Sequence, residues 1–241
     1  MDSKYTKTIL VAPSRCDSRS LLSYAHTFSV LQDIAGEHAE RLGIGLKDLM
    51  EKGLFWLTVK TKVRYYKRPF MLSPVTLSTW PEQPDRVRAN RDYVISSEGE
   101  TLIEGKTEWA VLSIDSGRPQ PLTGVYPSAL EFSEQAVLPE PFLRIDPDFS
   151  CAEEFGEYTV RSTDVDLGMH MNNSAYVHAL FGLFSLKELN GMDIYEVEVA
   201  FRSPAFEGQT IRYKKRISNG YIDISGCVED KTVFLARITL R

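Results

Sequence analysis

One short segment, residues 163–176, most limits what this chain can fold into. Within ten residues it holds two carboxylates, an imidazole and two carboxamides, at Asp164, Asp166, His170, Asn172 and Asn173. The chain then enters an apolar stretch at residues 176–181. Polar side chains this dense, directly before a helix that must be buried, are typical of a functional site rather than of a solvated loop. The segment therefore predicts a buried helix with a reactive loop at its N-terminus.

Composition excludes several classes of protein. With 241 residues, 43% of them hydrophobic, the chain can bury one large core or two compact ones. A formal net charge of −5 argues against a nucleic-acid partner. No apolar run approaches the ~20 residues of a membrane span, and the N-terminus lacks a secretory signal. Three widely spaced cysteines favour reduced thiols in a cytoplasmic protein over a disulfide framework or a zinc site.

Two halves of the chain show the same order of elements. Residues 28–50 have helical spacing, and so do residues 172–188, which are apolar nearly all round. Each helix precedes four strand-like segments, and one further strand leads into the polar segment. The predicted strands are 54–66, 74–80, 86–97, 101–114, 157–162, 195–202, 210–217, 221–228 and 232–240. Asn219 and Gly220 predict a type I′ hairpin turn, and residues 97–100 a second hairpin.

A helix followed by long antiparallel strands, twice over, predicts an α+β chain in which each half is an antiparallel sheet wrapped around a central helix. This arrangement is a tandem, or double, hotdog. We place the N-terminal half at residues 1–118 and the C-terminal half, with the polar loop, at 151–241. Residues 119–150, with six prolines, are predicted to be the linker.

The order D-x-D-x-x-x-H-x-N-N-x-x-Y in residues 164–176 closely resembles the active-site segment of acyl-ACP thioesterases. Shorter resemblances follow the family's order at residues 79–81, 109–119 and 198–202. The resemblance implies a double hotdog that hydrolyses fatty acyl-[acyl-carrier-protein] thioesters to free fatty acid, terminating fatty acid synthesis without a cofactor or metal. It also implies that Asp166 and His170 are the catalytic aspartate and histidine.

The chemistry of thioester hydrolysis assigns a role to each polar residue. Asp166 is a candidate general base for water, or a nucleophile that forms a short-lived anhydride. His170, four residues on, can orient it or assist proton transfer. Backbone N–H groups at residues 171–173 can stabilise the oxyanion, since the first helical turn leaves donors unpaired. Gly168, Asn172 and Asn173 are the candidate substrate-binding residues, with helix capping as the alternative for Asp164 and both asparagines.

Two positions depart from the family pattern. Gly168 stands where the family often has Asn, and Pro204 where it often has an acid. Glu207 is a candidate substitute for that acid, and a solvated turn residue is the alternative. A divalent-metal site at Asp164, Asp166 and His170 would lack further ligands. The remaining histidines, His26, His38 and His178, are predicted to be packed structural residues.

The expected partners are an acyl carrier protein and its fatty acyl chain, and the sequence leaves a homodimer open. The resemblance implies an acyl tunnel in the N-terminal half, and an ordinary core is the alternative for its apolar residues Leu54, Phe55, Trp56, Leu57, Phe70, Met71 and Leu72. Docking of an acidic carrier protein requires a local basic patch. The two candidates are Lys60, Lys62, Arg64, Lys67 and Arg68, and Arg86, Arg88 and Arg91, with an ordinary solvated strand face as the alternative. Other functions left open are hydrolysis of acyl-CoA and weakly catalytic binding of acyl groups or their carrier.

Overall fold

The computed structural model describes residues 3–241 and divides the chain into two compact units. The first unit is Met1–Glu140 and the second is Pro141–Arg241. The observed division falls inside the segment that the sequence analysis treated as a linker. Each unit contains its own antiparallel sheet and its own helix packed against it, as predicted.

The predicted linker, residues 119–150, is built into the two units. Its side chains Leu122, Val125 and Leu130 belong to a buried cluster of the first unit. Ile145 and Phe149 belong to a buried cluster of the second. The prolines of this segment therefore shape packed coil rather than a free connection between halves.

In the first unit, five long strands form an antiparallel sheet of order β1-β3-β4-β5-β2, and a short strand β6 pairs with β5. The elements are β1 (Tyr5–Leu10), α1 (Tyr24–Arg41), α2 (Leu46–Glu51), β2 (Leu54–Tyr65), β3 (Pro74–Pro81), β4 (Ala89–Ser97), β5 (Glu100–Ser113) and β6 (Pro119–Gln120). Helix α1 approaches the sheet closely at Gly105. A Cβ at that position would lie 2.7 Å from Leu31 Cδ1, so glycine is what lets the helix pack there.

The second unit repeats this arrangement, with the strand order β7-β9-β10-β11-β8. Its elements are β7 (Glu153–Thr159), α3 (Asn173–Gly182), α4 (Leu186–Gly191), β8 (Ile194–Phe201), β9 (Thr210–Ser218), β10 (Tyr221–Val228) and β11 (Lys231–Leu240). Tyr176 of α3 stacks on Phe234 of β11, with ring centroids 5.7 Å apart. Helix α3 therefore lies against the sheet at its apolar centre, and the prediction of a buried helix is confirmed.

The predicted helices are shorter than expected. Residues 28–50 form two helices, because the chain turns at Gly43, which has φ 68°. Residues 172–188 also form two helices: α3 ends at Gly182, and α4 begins with a capping box between Ser185 and Glu188. Strand β1 was not predicted; its alternation of half-buried and exposed residues is that of an edge strand.

The hairpin at Asn219 and Gly220 is present, but the predicted turn type is wrong. Ser218 pairs with Tyr221, so the loop has two residues, yet only Gly220 has positive φ, at 83°. The pair with positive φ at both positions is Glu98 and Gly99, at 50° and 82°. A type I′ turn requires that pair of conformations, so it joins β4 to β5 instead.

Candidate active site

The polar segment forms a closed loop between β7 and α3. We call residues 165–171 the Asp166 loop. An isolated β-bridge between Val165 and Met171 closes its base. Inside it, the N–H of Asp166 donates to the His170 carbonyl at 3.1 Å, and the N–H of Met169 donates to the Asp166 carbonyl at 3.0 Å. These bonds fix the backbone on either side of Asp166 and His170.

The carboxylate of Asp166 is held on both oxygens. Oδ1 accepts a hydrogen bond of 2.8 Å from the N–H of Gly168, and Oδ2 accepts one of 3.0 Å from Asn172 Nδ2. The side chain is half-buried. A carboxylate with both oxygens fixed can present a lone pair in one direction, which a general base or a nucleophile requires.

His170 shares one small space with Asp166. His170 Nδ1 lies 3.2 Å from the Met171 carbonyl oxygen, so Nδ1 is the donor in that hydrogen bond and Nε2 is not engaged by it. A Cβ built on Gly168 would lie 2.9 Å from His170 Nε2 and 3.1 Å from Asp166 Oδ1. We call this space the Gly168 gap. Its two polar walls are the two residues whose chemistry the sequence analysis singled out.

Position 168 requires glycine because there is no room for a side chain, not because the backbone needs an unusual conformation. Its φ is not positive; the residue of the loop with left-handed backbone is Met169, at φ 58°. Any side chain at Gly168 would enter the gap between Asp166 and His170. The Asn that the family often has at this position would therefore compete with the imidazole for the same volume.

The two asparagines act differently. Asn172 caps α3, because its Oδ1 accepts from the N–H of Ser174 at 2.8 Å, while its Nδ2 holds Asp166. Asn173 is the first residue of α3 and is half-buried. Asp164 is a capping residue, whose Oδ2 accepts from the Arg161 N–H and the Tyr158 hydroxyl, each at 2.8 Å. The capping alternative thus holds for Asp164 and for Asn172, and substrate binding by Asn172 stays a prediction.

Of the three backbone donors predicted for an oxyanion, two are already used. The N–H of Met171 donates to the Ala205 carbonyl and that of Asn172 to the Asp164 carbonyl, both at 2.8 Å. Within residues 3–241, the N–H of Asn173 has no hydrogen-bond partner. It lies at the positive end of the α3 dipole, so Asn173 is the donor that remains for a developing negative charge.

The loop after β8 packs against the Asp166 loop, and Tyr176 joins them. Ala205 accepts from Met171 through its carbonyl and donates to the Tyr176 hydroxyl at 2.8 Å through its N–H. Burial raises the pKa of Tyr176 to about 12, so its hydroxyl stays protonated. Pro204 therefore stands beside the site without a titratable group. Glu207 is an exposed turn residue before Gly208, which has φ 81°.

The first unit contains a second copy of this loop, which sequence reasoning missed. We call residues 16–22 the Asp17 loop. Five hydrogen bonds of the Asp166 loop recur there, at 2.8–3.0 Å: Asp17 N to Leu21 O, Ser20 N to Asp17 O, Arg19 N to Asp17 Oδ1, Ser23 N to Arg15 O and Leu22 N to Pro69 O. The bridge between Cys16 and Leu22 matches that between Val165 and Met171. Ser20 and Met169 have the same φ of 58°.

The Asp17 loop keeps the acid but not its partners. Leu21 occupies the position of His170, and Arg68 occupies that of Pro204. Arg68 Nη1 lies 2.6 Å from Asp17 Oδ2 and 3.0 Å from the Leu22 carbonyl oxygen. Burial raises the pKa of Asp17, but hydrogen bonds from Arg68 and from backbone N–H groups outweigh it, so that the pKa lies below its ordinary value. This aspartate is an ion-paired structural residue.

The basic patches proposed from the sequence are interrupted by buried side chains. Lys62 is 2% exposed and Arg68 8%, and Arg91 is 5% exposed with Nη1 2.9 Å from His38 Nδ1. Lys62 pairs in register with Lys106, whose Nζ donates to the Leu138 carbonyl at 3.2 Å. Chain from the predicted linker therefore covers this strand face, and neither set forms the continuous exposed patch that was expected.

Some of the predicted tunnel residues pack against the core and others are exposed to solvent. Leu54 and Trp56 pack against the buried cluster that contains Leu42 and Ile44, whereas Phe70 and Leu72 are exposed. A tunnel in this unit therefore stays a prediction.

Other features of the described chain bear on function. His38 is buried beside Arg91, His26 Nδ1 lies 2.8 Å from Ser23 Oγ, and burial lowers the pKa of His178. Among residues 3–241, no three histidine, cysteine or acidic side chains are grouped so that they could hold a metal ion. In the same range, no helix is long and apolar enough to cross a bilayer.

Comparison with protein families gives two adjacent matches. Residues 2–126 match the description "Acyl-ACP thioesterase N-terminal domain", and residues 150–235 match "Acyl-ACP thioesterase C-terminal domain". Oleoyl-acyl carrier protein thioesterase 2 of Arabidopsis thaliana is 24% identical over 170 residues, which are 62% of this chain and 45% of the relative. Oleoyl-acyl carrier protein thioesterase 1 of the same plant is 23% identical over 190 residues, 72% and 52% of the two chains. The chain thus spans about half the length of these relatives.

Solved structures share the fold over nearly the whole chain. An acyl-ACP thioesterase from Bacteroides thetaiotaomicron superposes with a TM-score of 0.86 at 17% identity, covering 99% of this chain and 98% of that one. The 12:0-ACP thioesterase from Umbellularia californica superposes with a TM-score of 0.83 at 17% identity, covering 99% and 97%. The fold is a double hotdog, as the sequence analysis predicted.

Proposed function

The chain belongs to the acyl-ACP thioesterase family, and from that premise we propose that it hydrolyses fatty acyl thioesters of acyl carrier protein to free fatty acid and carrier thiol. The observation that carries the proposal is the Gly168 gap, where the doubly held carboxylate of Asp166 faces Nε2 of His170. Relatives named oleoyl-acyl carrier protein thioesterases support the substrate class.

Asp166 acts in this proposal as the general base. A water molecule beside Asp166 Oδ1 and His170 Nε2 attacks the acyl carbonyl carbon, and its proton passes to the carboxylate. The new C–O bond converts the carbonyl into an oxyanion. When that intermediate collapses, the C–S bond breaks, and the leaving thiolate takes the proton back with His170 assisting. Thioester and water give carboxylic acid and thiol, and Asp166 returns to its starting state.

The oxyanion is stabilised at the start of α3. Asn173 offers its N–H there, and the helix dipole favours negative charge at the same end. Asn172 holds the base, and Gly168 leaves room for the reacting atoms. The three residues predicted to bind substrate thus have separate tasks: Asn173 binds the carbonyl oxygen, Asn172 orients Asp166, and Gly168 keeps the gap open.

The test is a panel of acyl-ACPs of varied chain length beside the matching acyl-CoAs, with free fatty acid measured by mass spectrometry. We expect hydrolysis of acyl-ACP and a loss of roughly 10²–10⁴ in kcat for Asp166→Asn. Asp164→Asn is the matched control, since Asp164 is two residues away but only caps the turn. An equal loss in both variants would contradict the role of Asp166.

The same panel separates the other functions. Faster hydrolysis of acyl-CoA than of acyl-ACP would make the protein a CoA thioesterase. Binding of acyl-ACP without turnover would make it a carrier-binding protein, the reading that Pro204 favours because it adds no third acid. An acylated Asp166 in acid-quenched single-turnover samples would show that Asp166 is the nucleophile rather than the base.

A further inference from the structure

Two large apolar side chains stand in solvent at the tip of the Asp166 loop. Leu167 is 67% exposed and Met169 is 74% exposed, and they flank Gly168 in the chain. We call this pair the apolar tip. Leucine and methionine have no polar atom that water would solvate well, so this exposure has a cost unless something binds there. The tip lies between Asp166 and His170 in sequence.

The Asp17 loop provides an internal control for the tip. Its backbone follows the same hydrogen-bond scheme, yet Ser18 and Ser20 occupy the positions of Leu167 and Met169. The loop can therefore adopt this conformation with polar residues at both positions. Left-handed backbone at φ 58° is uncommon for a side chain as large as methionine, so Met169 sits in a conformation that its residue type disfavours. The apolar tip is thus a feature of the reactive copy, not of the loop.

Two exposed cations lie on segments joined to the Asp166 loop, one along the chain and one through hydrogen bonds. Arg161 precedes the 3₁₀ turn that leads into the Asp166 loop, and its N–H bonds to Asp164. Arg202 begins the segment in which Ala205 bonds to Met171. Both are exposed, and among the described residues neither side chain has an ion-pair partner. An apolar tip, with unpaired positive charge on the segments joined to its loop, suits an acidic partner with an apolar patch.

We propose that Leu167 and Met169, together with Arg161 and Arg202 on the adjoining segments, form the docking surface for the acyl carrier protein. This inference rests on the proposed function. The reacting thioester is covalently joined to its carrier, so the carrier surface around that attachment must approach whatever surrounds Asp166 and His170. Leu167 and Met169 are the exposed apolar side chains of the loop, whereas Val165 and Met171 at its base are half-buried and buried. The carrier's apolar contact covers the tip, and its acidic side chains pair with the arginines.

The test replaces the tip with the residues of the N-terminal copy, Leu167→Ser with Met169→Ser. Substrates are an acyl-ACP and the same acyl group on N-acetylcysteamine, a small thiol with no protein surface. We expect the ratio of kcat/KM for acyl-ACP to kcat/KM for the small thioester to fall about tenfold, through KM, as partial burial of two apolar side chains is lost. Leu186→Ser on α4, where the leucine is 59% exposed, is the matched control and should leave the ratio unchanged.

Several outcomes would overturn the inference. An unchanged ratio would show that the carrier docks elsewhere, and an equal fall for both substrates would make the tip part of the acyl site. A change in sedimentation mass of the tip variant would make it an interface between copies of this chain. If the wild type hydrolyses neither substrate, the proposed function itself fails; binding of unacylated carrier to Asp166→Asn, with and without the tip substitutions, then tests docking alone.

A second experiment tests the contribution of the two arginines to docking. Arg161→Gln with Arg202→Gln should raise KM for acyl-ACP at low ionic strength. Because salt screens the attraction of these arginines over ~10 Å at 0.1 M, the wild-type KM should rise towards that of the variant as salt is added. A KM for acyl-ACP that follows salt identically in wild type and variant would exclude both arginines from the docking surface.

Discussion

The side chain of Asn172 holds the carboxylate of Asp166 and also caps helix α3. Its Nδ2 donates to Asp166 Oδ2 at 3.0 Å, and its Oδ1 accepts from the N–H of Ser174 at the start of α3. The position of the carboxylate is therefore tied to the helix that carries the oxyanion donor. In the Asp17 loop the corresponding cap is Ser23, which accepts from the N–H of His26 and has no amide to offer an acid.

That comparison predicts how the two roles of Asn172 separate. Asn172→Ser keeps a capping oxygen but loses the bond to Asp166, so kcat should fall while stability stays near that of the wild type. A hydrogen bond to a charged group contributes about 1.5–3 kcal/mol, which corresponds to a fall of roughly 10- to 100-fold. Asn172→Ala should show the same fall and also lose about 1 kcal/mol of stability. Steady-state kinetics and chemical denaturation of both variants check this; a wild-type rate for Asn172→Ser would remove Asn172 from the site.

Gly168 is predicted to be required for its lack of a side chain. Gly168→Ala places a Cβ 2.9 Å from His170 Nε2, so the imidazole must move away from Asp166. We expect a lower kcat, and little change in melting temperature because the residue is exposed and its φ is not positive. Gly36→Ala, on the exposed face of α1 with open space around it, is the control. It should keep the rate and gain about 0.5–1 kcal/mol of stability. A faster Gly168→Asn enzyme would show instead that the site lacks a side-chain donor.

Arg68 is predicted to stabilise the first unit without affecting hydrolysis. Two arginines approach Asp17: Arg68, largely buried, at 2.6 Å, and Arg19, more exposed, at 3.9 Å. Arg68→Ala leaves the acid without its close partner and should lower the free energy of unfolding by about 1.5–3 kcal/mol. Arg19→Ala should change it by less than about 1 kcal/mol, because surface pairs contribute little. Equal losses in the two variants would contradict the assignment.

The difference in unfolding free energy between the wild type and Arg68→Ala should depend on pH, because the pKa of Asp17 is lowered. A lowered pKa in the folded protein stabilises it above the unfolded value of ~3.9, and this contribution is lost as pH falls through the folded pKa. The gap between wild type and Arg68→Ala should therefore be largest near neutral pH and shrink below about pH 4. Denaturation at several pH values measures it. A gap that is constant down to pH 3 would mean that Arg68 acts through its packing on Tyr24 rather than through its charge.

Local chemistry explains which parts of the site the sequence could predict. Asp166, His170 and Asn172 lie within seven residues of one another, so the position of the loop and of the buried helix follows from one segment. What the sequence left open was whether Asn172 caps the helix or binds substrate; its side chain caps α3 and also holds Asp166, a contact that the sequence did not predict. The Asp17 loop was missed because only its aspartate recurs. Its shape depends on backbone hydrogen bonds, which leave no mark on residue type, and on positive φ at Ser20 and Met169, where no glycine signals it.

The sequence overestimated the exposure of the basic patches for a different reason. A period of two correctly places Lys60, Lys62 and Arg64 on one face of β2, but alternation does not say what covers that face. The covering chain comes from the proline-rich segment, where Leu138 is fully buried and Glu140 lies 3.6 Å from Arg64. Such contacts join residues far apart in sequence, and no local pattern indicates them.

A buried acid on the same covered face predicts a decline of stability as pH rises from acidic to neutral. Asp92 is fully buried on β4, beside Lys106 in register, with Glu82 nearby. Burial, with the Glu82 charge adding to it and Lys106 opposing it, raises the pKa of Asp92 to about 8. An acid with a raised pKa stabilises the fold fully below its unfolded value of ~3.9, and this contribution is lost as pH rises through the folded pKa.

Wild-type stability should therefore fall between about pH 4 and pH 8 through this group, and Asp92→Asn should remove that part of the slope. The asparagine keeps the size of the side chain and cannot ionise. Melting temperatures of both proteins from pH 5 to 9 test this, with Asp85→Asn, an exposed turn residue of the same unit, as the control. Parallel curves for wild type and Asp92→Asn would show that Asp92 is already ionised at neutral pH, held by Lys106. A flatter curve for Asp92→Asn alone would show that the protein carries a neutral, buried aspartic acid beneath the segment that covers this sheet.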